Sequence, residues 1–193
     1  MAAWTKHVAT LTQDDREAFD DFTRVAGHFG LPFTLPSRIF SRFLDDDGGV
    51  RAATKDLDRE GAFGHFAAYK LFAANEPEVW IWNERYWFSS APVPVTCMLR
   101  PQQLFRERFG AERIQRIEKL ANDDGLFQTC KTGPGLPDLA VFAPANVIPW
   151  RFVEIKRPEK GDKLSECQDR WLGLLAKVLG SECVIELELR EPN

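Results

Sequence analysis

The chain has 193 residues, 44% of them hydrophobic, which is enough to bury a substantial core in one domain with a small accessory segment. Its formal net charge of −4 excludes a uniformly basic surface but not a local basic face. No apolar run has the length of a membrane span, and the N-terminus lacks the apolar segment of a signal peptide. We therefore expect a soluble cytoplasmic protein that does not contact membranes.

The four cysteines are scattered along the chain without CxxC spacing, so neither a zinc ribbon nor a redox pair is indicated. This distribution is typical of reduced, partly buried thiols. The cysteines are Cys97, Cys130, Cys167 and Cys183.

The N-terminal part of the chain is predicted to be helical. Residues 14–29 carry aromatic and aliphatic side chains at helical spacing behind a group of acids, and residues 37–44 start a second, short helix. The acidic run DDDGG at 45–49 lacks the alternating ligands of a calcium loop and is interpreted as a solvated turn. We predict a helical N-terminal extension over residues 1–55.

The middle of the chain is also mainly helical. A helix with a broad buried side is predicted from Asp56 to the region of Asn75. The aromatic stretch 79–88 fits either a hairpin or an irregular packed segment, because periodicity alone does not distinguish them. Two amphipathic helices are predicted at 100–110 and 111–125.

The pattern then changes to strands. The runs LFQTCK, LAVFAP and WRFVEIK, all between residues 126 and 156, predict three successive strands. A helix follows over 165–180, with Ser165 as its N-cap and Gly180 as its stop, and CVIELEL at 183–189 predicts a last strand. This order predicts a mixed α/β fold, in which a central sheet is flanked by helices.

Two strands of this region carry ionisable residues at positions where apolar ones are expected. Asp138 precedes the strand LAVF, whereas Glu154 and Lys156 lie on the same face of the next strand. Two carboxylates at close range repel each other unless a cation lies between them, and hard oxygen ligands suit Mg²⁺. The three residues therefore indicate metal-assisted phosphodiester hydrolysis, and the alternative is a Glu-Lys ion pair beside a turn aspartate.

The stretches GLPDLAVF and FVEIKRPEKGDKLSECQDRW resemble the VRR-Nuc type of PD-(D/E)xK nucleases, and most of all the nuclease domain of the Fanconi-associated nucleases. The resemblance implies a restriction-endonuclease-like fold over residues 56–193. It also implies that Asp138, Glu154 and the backbone carbonyl of Ile155 bind Mg²⁺ or Mn²⁺. Lys156 would be the catalytic lysine, and Gln168 the glutamine of the following helix.

The same family uses a glutamate on an earlier helix as a further catalytic and metal-binding residue. Glu60, in the stretch EGAF, is the candidate by resemblance, although a glutamate at a helix N-terminus is also favoured by the helix dipole. Glu112 and Glu118 are the alternatives, on a helix closer to Asp138. His65, on an aromatic helix, is interpreted as a packed side chain rather than a ligand.

Contact with DNA is expected from basic residues that surround the acids in the sequence. Such residues bind phosphates, so they predict recognition of DNA structure rather than of base sequence. Taken singly, each is more simply explained as a solvated surface charge. The candidates are Lys131, Arg151, Arg157, Lys160 and Lys163.

The function predicted from these features is metal-dependent cleavage of branched or flapped DNA, of the 5′ flap or exonuclease type, in DNA repair or recombination. A homodimeric four-way-junction resolvase is the alternative within the same class, since two symmetric cuts need two active sites. A nuclease-fold module that binds DNA or a partner protein without cleavage is the alternative of another class. Association with the nucleoid is expected in a bacterial cell, and a nuclear location in a eukaryotic one.

Overall fold

The computed structural model describes residues 4–29, 59–73, 78–81, 106–130, 135–143 and 150–192. These residues form a mixed sheet of five strands with helices on both faces, as the sequence predicts. The strands are β1 (Thr5–Thr10), β2 (Glu78–Ile81), β3 (Leu139–Phe142), β4 (Trp150–Lys156) and β5 (Val184–Arg190), in the spatial order β1-β5-β4-β3-β2.

Helices occupy most of the remaining described chain, and none of them is long and apolar enough to span a membrane. Residues 106–109 add one helical turn before the third helix. The named helices are α1 (Gln13–Phe29), α2 (Arg59–Ala73), α3 (Ala111–Asp123), α4 (Leu126–Thr129) and α5 (Glu166–Leu179), with 3-10 turns at Pro158–Lys160 and Ser181–Cys183.

Strand β4 is the centre of the sheet, antiparallel to β3 and parallel to β5. Because side chains alternate along a strand, β4 supplies residues to two separate apolar cores. Val153 and Ile155 pack in the core that contains side chains of α1 and α2. Phe152 packs on the opposite face, in the core built from α3, α4 and α5.

Helix α5 begins and ends where its sequence predicts. The Ser165 hydroxyl accepts a hydrogen bond from the Gln168 backbone N–H, and the Gln168 side chain accepts one from the Ser165 N–H, which makes a capping box. Trp171, Leu172 and Leu175 form the buried stripe that attaches the helix to the sheet. Gly180 ends it.

The prediction of a strand at LFQTCK is wrong, because its first four residues form the short helix α4. Gly125 adopts a left-handed conformation with φ of 67°, and the Thr129 hydroxyl donates to the Gly125 carbonyl over 2.9 Å. A short apolar run fits a buried helical turn as well as a strand, so its periodicity did not separate the two. The strands predicted at LAVF and WRFVEIK are confirmed as β3 and β4.

The N-terminal region differs in part from the predicted helical extension. Helix α1 confirms the helix predicted over 14–29, but the strand β1 before it was not foreseen. β1 pairs with β5 in parallel along its whole length, so these residues belong to the same sheet as the predicted nuclease residues. The helix predicted at 37–44, the turn at 45–49 and the boundary near residue 55 lie outside the described residues.

Two cysteines predicted to be reduced thiols form a disulfide, and that prediction is wrong for both. Cys130 follows α4, Cys167 lies in the first turn of α5, and their Cα atoms are 5.9 Å apart. They are 37 positions apart in the chain, and only the packing of α4 against α5 brings them together. Cys183 is a free, buried thiol, as predicted, and Cys97 lies outside the described residues.

We expect reduction of the Cys130–Cys167 bond to destabilise the protein. Closing a loop of this length restricts the unfolded chain, which corresponds to about 3–4 kcal/mol of unfolding free energy in the loop-entropy account. Dithiothreitol should therefore lower the melting temperature of the wild type. The double variant Cys130→Ser/Cys167→Ser should melt at that lower temperature with or without dithiothreitol. Equal melting of the oxidised and reduced wild type would contradict the prediction.

Candidate active site

Asp138 lies directly before β3, at the end of the sheet where β4 finishes. Its Oδ2 accepts a hydrogen bond from the backbone N–H of Ile155 over 2.9 Å. Its Oδ1 lies 2.8 Å from Nε2 of His65, on α2. The carboxylate is thus held from both sides, by the central strand and by a helix that packs on the sheet.

Glu154 occupies the middle of β4 and its side chain is 0% exposed. Its Oε1 accepts hydrogen bonds from Gln168 Nε2 over 2.5 Å and from Lys156 Nζ over 2.9 Å. Its Oε2 is buried and has no hydrogen-bond partner within the described part of the chain. Burial raises the pKa of Glu154 well above its usual value, and the charge of Asp138 raises it further, against the opposing effect of Lys156.

Lys156 leaves β4 on the same face as Glu154, as the two-residue spacing predicts. Its Nζ forms ion pairs with Glu154 Oε1 at 2.9 Å and with Asp162 Oδ1 at 3.2 Å. Burial alone would lower the pKa of Lys156, but the two carboxylates outweigh burial and raise it. The ammonium is therefore charged at neutral pH. Asp162 was not foreseen as a partner, since it lies beyond the strand in the following turn.

Gln168 reaches Glu154 because the capping box fixes its side chain. Its Oε1 accepts from the Ser165 N–H over 2.9 Å, and this contact leaves the amide Nε2 directed at Glu154. Gln168 thus acts at once as part of the start of α5 and as a donor to a buried carboxylate. The structure brings Glu154, Lys156 and Gln168 together, as the sequence predicts.

The donor set fits a divalent cation. Glu154 presents a buried oxygen without a partner in the described chain, and the neighbouring charge of Asp138 raises its pKa. A cation beside both carboxylates would offset both effects. Among the described residues, no group of three or more histidine, cysteine or acidic side chains is placed to hold a metal ion. Mg²⁺ commonly takes one or two carboxylates together with water and substrate phosphates.

The structure describes the positions of the remaining predicted metal ligands only in part. Ile155 lies beside the carboxylates through its N–H bond to Asp138, and the role of its carbonyl stays a prediction. Glu60 lies in the first turn of α2, but its side chain is outside the description. Glu112 is exposed in the first turn of α3, and Glu118 is half-buried on the same helix. Their roles also stay predictions.

His65, like Asp162, is a residue near the predicted acids whose contact the sequence did not predict. It was interpreted as a packed side chain, and it is indeed buried, but its ring also contacts Asp138. The two residues are 73 positions apart, and no local pattern links them. The only available signal was a polar ring within an apolar helical run.

The predicted DNA-contacting residues fall into different environments. Arg157 is buried, pairs with Glu191 and lies 5.4 Å from the centre of the Phe63 ring, and this burial does not favour the predicted DNA contact. Arg151 is half-buried and alternates to the sheet face opposite Glu154. Lys160 and Lys163 are exposed in the segment after β4, whereas Lys131 lies outside the described residues.

Comparison with known proteins gives one match. A protein-family model described as the VRR-NUC domain matches residues 73–185, which include Asp138, Glu154, Lys156 and Gln168. No curated protein and no solved structure matches the chain. The matched range spans strands β2, β3 and β4 and helix α5, and the mixed sheet flanked by helices confirms the predicted restriction-endonuclease-like fold. Because the match covers more than half of the chain, the protein belongs to the VRR-NUC domain family.

Proposed function

We propose that this VRR-NUC nuclease domain is a divalent-metal-dependent enzyme that hydrolyses phosphodiester bonds in branched or flapped DNA. The observation that carries the proposal is the Glu154 carboxylate. It is buried, its Oε1 is held by Lys156 and Gln168, and its Oε2 has no partner in the described chain, beside the charge of Asp138. Burying a charge in this way is costly without a function that uses it.

Asp138 and Glu154 would hold Mg²⁺ or Mn²⁺, with the Ile155 carbonyl and Glu60 as further ligands implied by the family resemblance. When bound, the cation would polarise the scissile phosphodiester and activate water for attack. Gln168 keeps the Glu154 carboxylate in one orientation, because its amide is itself fixed by the start of α5. The metal-binding carboxylate would thus be preorganised before the substrate binds.

Lys156 would stabilise the charge that develops at phosphorus during hydrolysis. Its ammonium is held by Glu154 and Asp162, so its position is fixed and its charge is retained at neutral pH. A fixed cation in a buried site needs little reorganisation when the transition state forms. The exposed Lys160 and Lys163 follow the same strand. Contacts from them to phosphates would favour recognition of DNA structure rather than of base sequence.

We expect Lys156→Ala to abolish most cleavage. Removal of one preorganised electrostatic group typically costs about 10²–10³ in rate. Cleavage of labelled single strands, duplexes, 5′ flaps and four-way junctions should be measured with Mg²⁺, Mn²⁺ or EDTA. Lys177→Ala, which removes an exposed lysine from the last turn of α5, is the matched control and should cleave normally.

The outcomes of this experiment separate the alternatives. Metal-independent cleavage, or full activity of Lys156→Ala, would contradict the mechanism. Preferential cleavage of flaps supports the proposed substrate, whereas symmetric cleavage of four-way junctions by a dimer supports a resolvase. Binding of DNA by the wild type without cleavage under any of these conditions would support a binding module instead.

We expect Glu154→Gln to change how stability depends on pH. With its raised pKa, Glu154 keeps its proton in the folded protein at pH values where the unfolded chain has lost it. In the absence of metal, its contribution to stability therefore falls as pH rises from the usual glutamate pKa through the raised one. The melting temperature of Glu154→Gln, relative to that of the wild type, should therefore rise as pH rises across this range.

Bound metal should raise the stability of the wild type relative to that of Glu154→Gln. Mn²⁺ at a hundred times its Kd would stabilise the folded state by about 2.7 kcal/mol, and the effect should weaken as pH falls through the raised Glu154 pKa. Glu154→Gln should lose most of this stabilisation, whereas Glu182→Gln, an exposed acid before β5, should keep it. Equal stabilisation of wild type and Glu154→Gln by Mn²⁺ would argue against Glu154 as a ligand.

A further inference from the structure

Helix α2 approaches the site from the sheet face opposite α5. Its residues 63–69 are all buried, and its Phe63 and Phe66 rings pack against Phe19 of α1, with centroids 5.5 and 5.4 Å apart. His65 lies between these two rings in the chain and turns toward Asp138. The packing on either side fixes the backbone that carries the imidazole.

A glycine allows this helix to come close to the central strand. A Cβ at Gly64 would lie 3.3 Å from Arg157 Cδ, which is a tight contact, and 3.9 Å from Ile155 Cγ2, which is an ordinary one. The neighbouring His65 uses this close approach, and its Nε2 reaches 2.8 Å from Asp138 Oδ1.

The contact with His65 restrains the Asp138 carboxylate, which already accepts a hydrogen bond from β4. Ile155 N–H donates to Oδ2 of Asp138, and His65 donates to Oδ1. Because an ionised carboxylate only accepts hydrogen bonds, Nε2 of His65 carries the hydrogen. The Asp138 side chain is 21% exposed, so an ion can reach it.

We propose that His65 is a positioning residue that holds the Asp138 carboxylate in the orientation needed to bind the divalent cation. The inference rests on the proposed metal-dependent function. His65 lies before the range that the family matches, so it is a feature of this chain outside the matched motif. Groups that hydrogen-bond to metal ligands fix their geometry, and removing one typically costs about 10–100-fold in metal affinity or activity.

The test compares His65→Leu, which removes the donor, with His65→Gln, whose amide Nε2 can still donate to a carboxylate. His7→Leu is the matched control, because His7 is exposed on β1. Mn²⁺ binding to the DNA-free protein is measured by titration calorimetry. The Mn²⁺ concentration for half-maximal cleavage and the melting temperature are measured in parallel.

We expect His65→Leu to bind Mn²⁺ about 10–100-fold more weakly and to need correspondingly more Mn²⁺ for cleavage. Most of its lost activity should return as Mn²⁺ is raised. His65→Gln should recover most of the affinity, and His7→Leu should match the wild type. A merely structural role would lower the melting temperature without this selective change in metal requirement.

Three results would overturn the inference. If His65→Leu binds Mn²⁺ as tightly as the wild type, His65 does not position the ligand, although the proposed function stands. If His65→Leu fails to fold, the result for His65→Gln decides. If His65→Gln melts at the wild-type temperature but binds Mn²⁺ weakly, the hydrogen bond is not the cause. If the wild type neither binds Mn²⁺ nor cleaves DNA, the proposed function fails as well.

Discussion

The buried carboxylate of Glu154 is the constraint around which the rest of the site is arranged. A charge in the middle of a central strand is costly, and the protein reduces that cost at one oxygen through Lys156 and Gln168. The other oxygen stays without a partner in the described chain, and the nearby charge of Asp138 raises the pKa of the acid further. A cation beside both carboxylates would offset both costs together.

The two faces of the sheet contribute different parts of this arrangement. On one face, α5 supplies Gln168, and its first turn is fixed by the capping box and by the disulfide between Cys130 and Cys167. On the other face, α2 brings His65 to Asp138 across a close contact at Gly64. The central strand β4 joins the two, because its side chains alternate between the two cores and the N–H of Ile155 donates to Asp138.

The parts of the fold with strong local signals were predicted correctly from the sequence. Strands β3, β4 and β5 have continuous apolar or alternating patterns, and α5 has both a capping box and a glycine stop. Helix α4 was mistaken for a strand because four apolar and polar residues fit either structure. Strand β1 was missed because most of its side chains are exposed, so its apolar pattern is weak.

The sequence by itself determined the family and the core of the candidate site. Spacing along one strand places Glu154 and Lys156 on the same face, and the motif before β3 supplies Asp138. The tertiary structure alone decided that His65 contacts Asp138 and that Lys156 forms ion pairs with both Glu154 and Asp162. It also decided that Arg157 is buried and pairs with Glu191. Local periodicity fixes the direction of a side chain within its own element, whereas the packing between elements decides which distant residue it meets.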